Sequence, residues 1–353
     1  MALAHGTVKH FGLHRLEGVE VRVVADDETG ILRLEQAELD VVGRLANDSR
    51  WQHKTVTLFA LADLQPLLRQ LESLGRQPAD ARLQGREELL SRAVVNVYDL
   101  ASPTACNVFV NRKAMIAAGY WEDALSLTGL LAHEHAHPLA ECSHTANLRR
   151  LRISLQLHLS EPWAATPAQA QSWSERSARQ VAGLAVQLFS TGPREVFTNA
   201  IAIGSGFDRA LYHLNQQNLR NLSLGLQYRP ALAAQLASVV AQGQLSQAGA
   251  SLLRLLGDLQ AFLPMTMEVA PFRMAGQPAK ARELNKTLHG ELLPRLESPV
   301  GPCFDALAAH YAHLDEAAGL DVVQAGMAGG LGLLAQALAA VQAEVVYNIE
   351  EVD

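Results

Sequence analysis

The chain has few cysteines and no excess of positive charge. Its three cysteines (Cys106, Cys142 and Cys303) are too few and too scattered for a disulfide framework or a thiolate zinc knot. Its formal net charge is -7, so a general electrostatic attraction to nucleic acid or to an anionic membrane is not expected. These shortages exclude disulfide-stapled mini-proteins and argue against a basic nucleic-acid-binding module.

Long hydrophobic runs are scarce as well. The opening stretch MALAHGTVKHFGLHRLEGVE lacks the continuous apolar core of a signal peptide. The most apolar segment, residues 325–341, is rich in glycine and interrupted by Gln336, whereas a membrane span needs about 20 strongly apolar residues. We therefore expect a buried C-terminal helix, no membrane span and a reducing, cytoplasmic location. The oligomeric state is left open.

The composition suits a globular protein with a substantial core, since 49% of the 353 residues are hydrophobic and 18% are charged. Changes in the hydrophobic pattern along the sequence divide the chain into three parts. Residues 1–85 are predicted to be an N-terminal α/β lobe, residues 86–225 a small α+β core, and residues 226–353 a helical region. The expected fold class is α+β, mostly α, with a small sheet-plus-helix core followed by a helical array.

Hydrophobic periodicity predicts the individual elements. Strands are expected at 18–26, 93–100 and 106–114, and helices at 31–45, 61–75, 121–137, 168–190, 194–203, 207–222, 230–263, 279–297, 303–318 and 321–347. A connector is expected at 75–85. The segment LRRLRISLQLHLS (148–160) fits both periods, and we favour a helix there.

The stretch LLAHEHAHPLAE (130–141) concentrates three histidines and two glutamates. On a helix, His133 and His137 are one turn apart on the same face, so their imidazoles can converge on a single cation. His135 lies about 200° round the helix from His133 and points away from that cation. Pro138 should stop or kink the helix near His137.

Glu134 directly follows the first of these histidines and lies beside the metal face. It could accept a proton from metal-bound water and pass it to a leaving amine. Residues 133–137 thus read as H-E-x-x-H, a pattern of moderate specificity that gains weight from its helical context. A cluster of ordinary packing histidines is the alternative, and three histidines in five residues exceed what packing demands.

A third protein ligand is needed to complete such a site, and Glu195 is the candidate. Thr191 is suited to cap a helix here and Pro193 to stand in its first turn. Asn199 is then four residues after Glu195 on the same face, where it could accept a hydrogen bond from a ligand histidine. The alternative for Glu195 is an ordinary first-turn glutamate favoured by the helix dipole.

With HEHAH and EVFTN in place, residues 93–214 resemble the gluzincin group of zinc metallopeptidases, which carry H-E-x-x-H on one helix and a glutamate ligand, often in E-x-x-x-D, on a later one. The resemblance implies a zincin-like core, a bound Zn²⁺ and hydrolysis of a peptide or protein substrate. It implies that His133, His137 and Glu195 hold the zinc and that Glu134 is the general base. Asn199 departs from the aspartate of the pattern.

The resemblance also implies two further features. An edge strand, here CNVFVN (106–111), would pair with the extended substrate. A hydroxyl or cationic side chain would stabilise the tetrahedral oxyanion, for which Tyr212 and His213 are candidates together with Arg209. A helix-surface tyrosine or histidine is the plainer interpretation of these residues.

Two other interpretations remain open. If residues 130–141 were extended, His135 and His137 with Glu141 would match the H-x-H-x-x-x-E pattern of a cupin barrel, which binds iron, manganese or nickel in an oxygenase or isomerase. The helical texture after residue 165 argues against that all-β fold. A non-catalytic metal-binding scaffold is the other possibility, although it has no need for Glu134 beside an open coordination position.

Overall fold

A computed structural model describes residues 8–62, 64, 92–99, 103–297 and 299–352. These residues adopt an α+β fold that is mostly α, as predicted. The chain forms two compact units. The first comprises Met1–Leu139 and Ile201–Gln217, and the second Ala140–Ala200 and Asn218–Asp353.

The first unit is built on one mixed sheet with the strand order β1-β2-β3-β5-β4. Its strands are β1 (His10–Leu16), β2 (Val19–Ala25), β3 (Thr55–Leu61), β4 (Val94–Tyr98) and β5 (Ala105–Asn111). The inner pairs β2–β3 and β3–β5 are parallel, and the outer strands β1 and β4 are antiparallel to their neighbours.

This sheet changes the predicted domain organisation. Strands expected in a separate lobe at residues 1–85 pair with strands of the predicted core, so the boundaries at 85 and 225 do not coincide with the compact units. The reason is the parallel β3–β5 pairing, which local periodicity does not reveal. The predicted connector 75–85 and most of the predicted helix 61–75 lie outside the described residues.

Helices cover one face of this sheet. They are α1 (Ile31–Leu45), the short α2 (Arg112–Ala117) and α3 (Ala124–Ala136). Helix α1 packs against α3, β1 and β2, while α3 also contacts β4. The strand residues beneath them are apolar and fully buried, for example Val21, Val56 and Val108. The core therefore holds α3, the helix of the H-E-x-x-H motif, against the β4 end of the sheet.

The second unit is mainly helical. Its elements are α4 (Ser143–Arg149), α5 (Pro167–Ala185), α6 (Gly192–Ala202), α7 (Asp208–Gly225), α8 (Arg229–Ala241), α9 (Gln247–Phe262), α10 (Thr266–Met274), α11 (Pro278–Thr287), α12 (Val300–Tyr311), α13 (Leu320–Ala339) and the strands β6 (Leu151–Leu159) and β7 (Ala343–Glu351). The end of α6 and the first part of α7 belong to the first unit, which includes residues 201–217.

The helix expected over residues 148–160 is wrong for most of its length. Residues Leu151–Leu159 form β6, which pairs antiparallel with β7 along all nine residues. The end of the helix expected at 321–347 is wrong for the same reason, because β7 begins at Ala343. The partner strand lies about 190 residues away along the chain. Only the tertiary fold therefore decides whether this segment, which fits both the helical and the strand period, becomes a helix or a strand.

Helix α13 is long and apolar enough to cross a membrane by length and composition. One stripe of it is buried and consists of Val323, Met327, Leu331, Leu334 and Leu338. The helix packs against β7 and α12 within its unit. Core helices of soluble proteins have the same length and composition, so this test is weak evidence for a membrane span.

His53 is a buried histidine of the first unit and is only 1% exposed. Its Nδ1 donates a hydrogen bond of 2.6 Å to the Pro103 carbonyl, which fixes the neutral tautomer. Burial, aided by the charge of His135, lowers the pKa of His53 to about 4. The ring is therefore neutral in the folded protein near pH 6.

The depressed pKa of His53 predicts a loss of stability in acid. Between pH 6.5, where an unfolded histidine titrates, and about 4, the unfolded state binds the extra proton, so unfolding becomes easier as the pH falls. We expect His53→Gln, which keeps a donor for Pro103, to reduce this loss by about 3 kcal/mol. Urea denaturation at several pH values measures it, with exposed His158→Gln as control. An unchanged pH slope in His53→Gln would contradict the assignment.

Candidate metal centre

Helix α3 forms where the periodicity predicts it. Asp123 begins it, because its Oδ1 accepts hydrogen bonds from the amides of Leu125 and Ser126 at 3.0 and 3.3 Å. The helix ends at Ala136, and Pro138 lies in the 3-10 turn that follows. Because this segment is helical, the extended geometry that the cupin pattern requires is absent from it.

Helix geometry brings the predicted ligands together. The ring centroids of His133 and His137 are 4.7 Å apart, with their planes at 81°. One ligand atom each of His133, His137 and Glu195 lies within 4.8 Å of the others. All three side chains are partly exposed. Two imidazoles and one carboxylate at this spacing could hold a metal ion. Three protein ligands are one fewer than a closed tetrahedral site requires.

His135 occupies the opposite face of α3, as predicted. Its Nε2 lies 2.8 Å from Oε1 of Glu38 on α1, and both side chains are 0% exposed. Burial alone would lower the pKa of His135, but the Glu38 carboxylate and the Cys106 thiol outweigh it and raise that pKa to about 10. The middle histidine of the motif is therefore a buried cation paired with Glu38 of α1.

The sequence analysis missed Asn96, which holds Glu134 against the sheet. The Asn96 amide donates to Oε2 of Glu134 at 3.1 Å, and the Asn96 Nδ2 donates to the Glu134 carbonyl at 3.1 Å. Asn96 lies on β4, the last strand in the sheet order. An asparagine in the apolar run VVNVY was the available signal, since a buried polar group in a strand requires a partner.

The edge strand differs from the predicted one. CNVFVN belongs to β5, which lies between β3 and β4. Among the described strands β4 is at this end of the sheet, and its Asn96 amide bonds to Glu134 instead of to β5, so that amide faces away from β5. The carboxylate of Glu134 is therefore at the edge that an added strand would meet.

The turn that carries Glu195 is not capped in the predicted way. A π-helical turn at Val186–Thr191 runs directly into α6, and the Thr191 hydroxyl donates to the Gln187 carbonyl at 2.9 Å. The buried Tyr311 hydroxyl donates to the Leu188 carbonyl at 2.6 Å. Side-chain packing therefore supports this helix start, where an N-cap was expected.

Gly192 is required by the same packing. A Cβ at this position would lie 2.6 Å from the Tyr311 hydroxyl and 2.8 Å from the sulfur of Met267. Glycine thus allows α6 to approach α12 and α10 closely. Glu195 follows one turn further along this tightly packed backbone.

Glu141, the last ligand of the cupin interpretation, is instead an ion-pair residue. Its carboxylate lies 2.6 Å from Arg149 and 3.3 Å from Arg194. Glu141 follows His137 by four residues, and Arg194 directly precedes Glu195. The Glu141–Arg194 ion pair therefore connects, within the second unit, the segment that follows His137 to helix α6, which carries Glu195.

Asn199 is 2% exposed, and its side-chain nitrogen donates hydrogen bonds to residues of helix α10. The Nδ2 atom lies 3.3 Å from the Met267 carbonyl and 3.3 Å from Oε2 of Glu268. Its role toward a ligand histidine stays a prediction, and the oxygen of the amide is the atom that would accept the bond.

Neither predicted oxyanion residue is among the clustered ligands. The Nε2 of His213 lies 2.5 Å from Asp123, at the start of α3, about 15 Å along the helix axis from His133. The hydroxyl of Tyr212 accepts a hydrogen bond from Gln216 at 3.1 Å. The contact with Asp123 argues against an oxyanion role for His213, whereas the role of Tyr212 stays a prediction.

Metal content tests the three-residue group directly. We expect about one metal ion per chain in the wild type and a strong loss in His133→Ala and in Glu195→Ala, because each removes one of three protein ligands. Mass spectrometry of the purified proteins gives the metal and its stoichiometry, with exposed His158→Ala as control. Metal retained in Glu195→Ala would place the third ligand elsewhere.

The buried pair behind the motif predicts a large stability effect. Glu38→Ala leaves the His135 charge uncompensated in the core, so we expect a loss of about 3–5 kcal/mol in the free energy of unfolding. Glu122→Ala, which removes an exposed partner of Arg33, should cost less than about 1 kcal/mol. Guanidinium denaturation compares the two, and equal losses would refute the proposed importance of the buried pair.

Comparison with protein-family models, with curated proteins and with solved structures finds no match for this chain. The functional argument therefore depends on the residues of the site and on the chemistry of their side chains.

Proposed function

We propose that the protein is a zinc-dependent metallopeptidase in which Glu134 activates water for attack on a peptide bond. The observation that carries the proposal is the position of Glu134. It follows the first clustered histidine by one residue, and its carboxylate is hydrogen-bonded at the edge of β4.

The donor set suits zinc as well as iron(II), and the glutamate that directly follows the first ligand favours zinc. Two imidazoles and one carboxylate are a known catalytic zinc set, whereas magnesium and calcium prefer oxygen ligands alone. Zinc, when bound, polarises a carbonyl oxygen and lowers the pKa of a coordinated water to about 7. His133, His137 and Glu195 would hold it.

Glu134 would be the general base. The Asn96 amide orients its carboxylate through Oε2, and that carboxylate would take a proton from the attacking water. The same carboxylate can then give that proton to the departing amine. Asn96 positions Glu134 through its backbone amide and also binds its carbonyl.

The substrate would be an extended peptide or protein segment. Among the described strands, none pairs with the outer side of β4, and a peptide strand that paired there would lie alongside Glu134. We expect no nucleic-acid partner. We expect the enzyme in the cytoplasm, where Cys106, Cys142 and Cys303 would stay as the free thiols of this structure.

Glu134→Gln separates metal binding from catalysis. Glutamine can still accept the Asn96 hydrogen bond, so the metal should stay, but it cannot take up a proton. We expect hydrolysis of a quenched fluorescent peptide mixture to fall by about 10²–10⁴-fold. Zinc content and peptide cleavage should be measured on the same preparations, with exposed Glu122→Gln as control.

Two results would count against this assignment. Wild-type activity in Glu134→Gln would remove Glu134 from the mechanism. A zinc-loaded wild type that cleaves no peptide in the mixture would favour the non-catalytic metal-binding scaffold.

A further inference from the structure

Strand β1 stands at one end of the sheet of the first unit, and among the described strands none pairs with its outer side. The edge of a strand carries backbone N–H and C=O groups with which another strand can pair. Proteins often block such an edge with a proline, a bulge or a very short strand. Strand β1, HFGLHRL, is seven residues long and contains no proline. It is therefore a candidate for pairing with a further strand.

The turn that follows β1 shows which of its residues bond to β2. Glu17 and Gly18 have positive φ angles of 47° and 80°, and they join the two strands as a two-residue type I′ turn. The flanking residues Leu16 and Val19 are then a hydrogen-bonded pair. Because bonding alternates along an antiparallel ladder, every second residue counted back from Leu16 directs its backbone groups to β2.

The residues in between direct their backbone groups outward, and they are Phe11, Leu13 and Arg15. The register agrees with this, since the amide of Glu20, which stands opposite Arg15, bonds at 2.9 Å to the Lys54 carbonyl on the side away from β1. The side chains of the three outward residues share the exposed face of β1. Phe11 is 61% and Leu13 is 53% exposed.

A second copy of β1 fits this edge. If two copies pair antiparallel about a two-fold axis at Leu13, every outward residue meets an outward residue. Leu13 then faces Leu13 of the second copy, and Phe11 faces Arg15 on both sides of the axis. The three pairs would form about six backbone hydrogen bonds. Each Arg15 guanidinium could lie over a Phe11 ring, which is a favourable contact.

The same register is complementary in charge. It sets the exposed Lys9 opposite the exposed Glu17 of the second copy, once at each end of the paired strands. On the inner face, Gly12 stands opposite His14 of the second copy. The Glu35 carboxylate lies where a Cβ of Gly12 would be, so that imidazole would meet a negatively charged acceptor.

The neighbouring registers lack this complementarity. An axis at Gly12 would oppose Lys9 to Arg15, and like charges directly opposite each other are destabilising. An axis at His14 would oppose the two His14 rings and set the apolar Phe11 against Glu17. The axis at Leu13 is therefore the favoured one.

We propose that the protein forms a two-fold symmetric dimer in which β1 pairs antiparallel with β1 of a second copy, with the axis at Leu13. This pairing joins the two five-stranded sheets into one continuous sheet. It uses the sheet end opposite to β4 and is independent of the proposed zinc site.

Single cysteines test the register. Each variant carries Cys142→Ser, because Cys142 is the one native thiol that is not buried. With oxidised glutathione, Leu13→Cys should run at about twice the chain mass of 38.2 kDa on a non-reducing gel, since a hydrogen-bonded pair places its Cα atoms about 5.5 Å apart. Arg15→Cys should stay monomeric, because its two copies would be about 14 Å apart along the strands. Mixing Arg15→Cys with Phe11→Cys should restore the covalent dimer.

Analytical ultracentrifugation tests the association itself. The wild type should sediment as a dimer as its concentration rises, with or without a zinc chelator. Leu13→Lys should weaken self-association by about tenfold or more, because two lysines then face each other at the axis. Val346→Lys, at a 51% exposed valine of β7, is the matched control and should behave as the wild type. Circular dichroism confirms that each variant is folded.

The outcomes separate this inference from the proposed function. A covalent dimer of Leu13→Cys, together with weakened association in Leu13→Lys, supports it. Leu13→Cys that cross-links no more than Arg15→Cys overturns it, and so does a wild type that stays monomeric at every concentration. Neither of these results affects the zinc site, and a protein that binds no zinc can still form the dimer.

Discussion

The rotation of helix α3 about its own axis decides which side chains can work together, and the buried pair of Glu38 and His135 fixes that rotation. Both groups are fully buried, so a roll of the helix that separated them would leave an uncompensated charge in the core. Once His135 faces α1, the helical repeat directs His133, Glu134 and His137 to the other side. The buried contact of His135 with Glu38 thus sets the direction in which the other two histidines of the motif point.

The local parts of this arrangement follow from the sequence, whereas the long-range parts do not. Helix α1 spans the predicted residues 31–45, and the pairing of His133 with His137 follows from their four-residue spacing. Strand β6 was predicted as a helix, because its leucines fit both the helical and the strand period and its partner β7 lies near the other end of the sequence. The contact of Asn96 with Glu134 depends likewise on a strand order that no local pattern encodes.

The turn of Glu195 shows how a clustered residue can be predicted for a partly wrong reason. Glu195 lies on a helix as predicted, but the expected cap at Thr191 is replaced by a π turn inside a continuous helical run. Tyr311 satisfies a carbonyl of that turn, and Gly192 lets the backbone approach Tyr311. Packing from α12, rather than a capping side chain, fixes where Glu195 stands.

An asparagine at position 199 is electrostatically favourable. An aspartate there would place a second carboxylate one helical turn from Glu195, where like charges repel, and would bury it almost completely. Asparagine avoids both costs. The Asn199 nitrogen can donate to the Met267 carbonyl and to the carboxylate of Glu268, which is half-buried and keeps part of its hydration. A neutral amide paired with a partly solvated carboxylate therefore satisfies this buried position without an isolated buried charge.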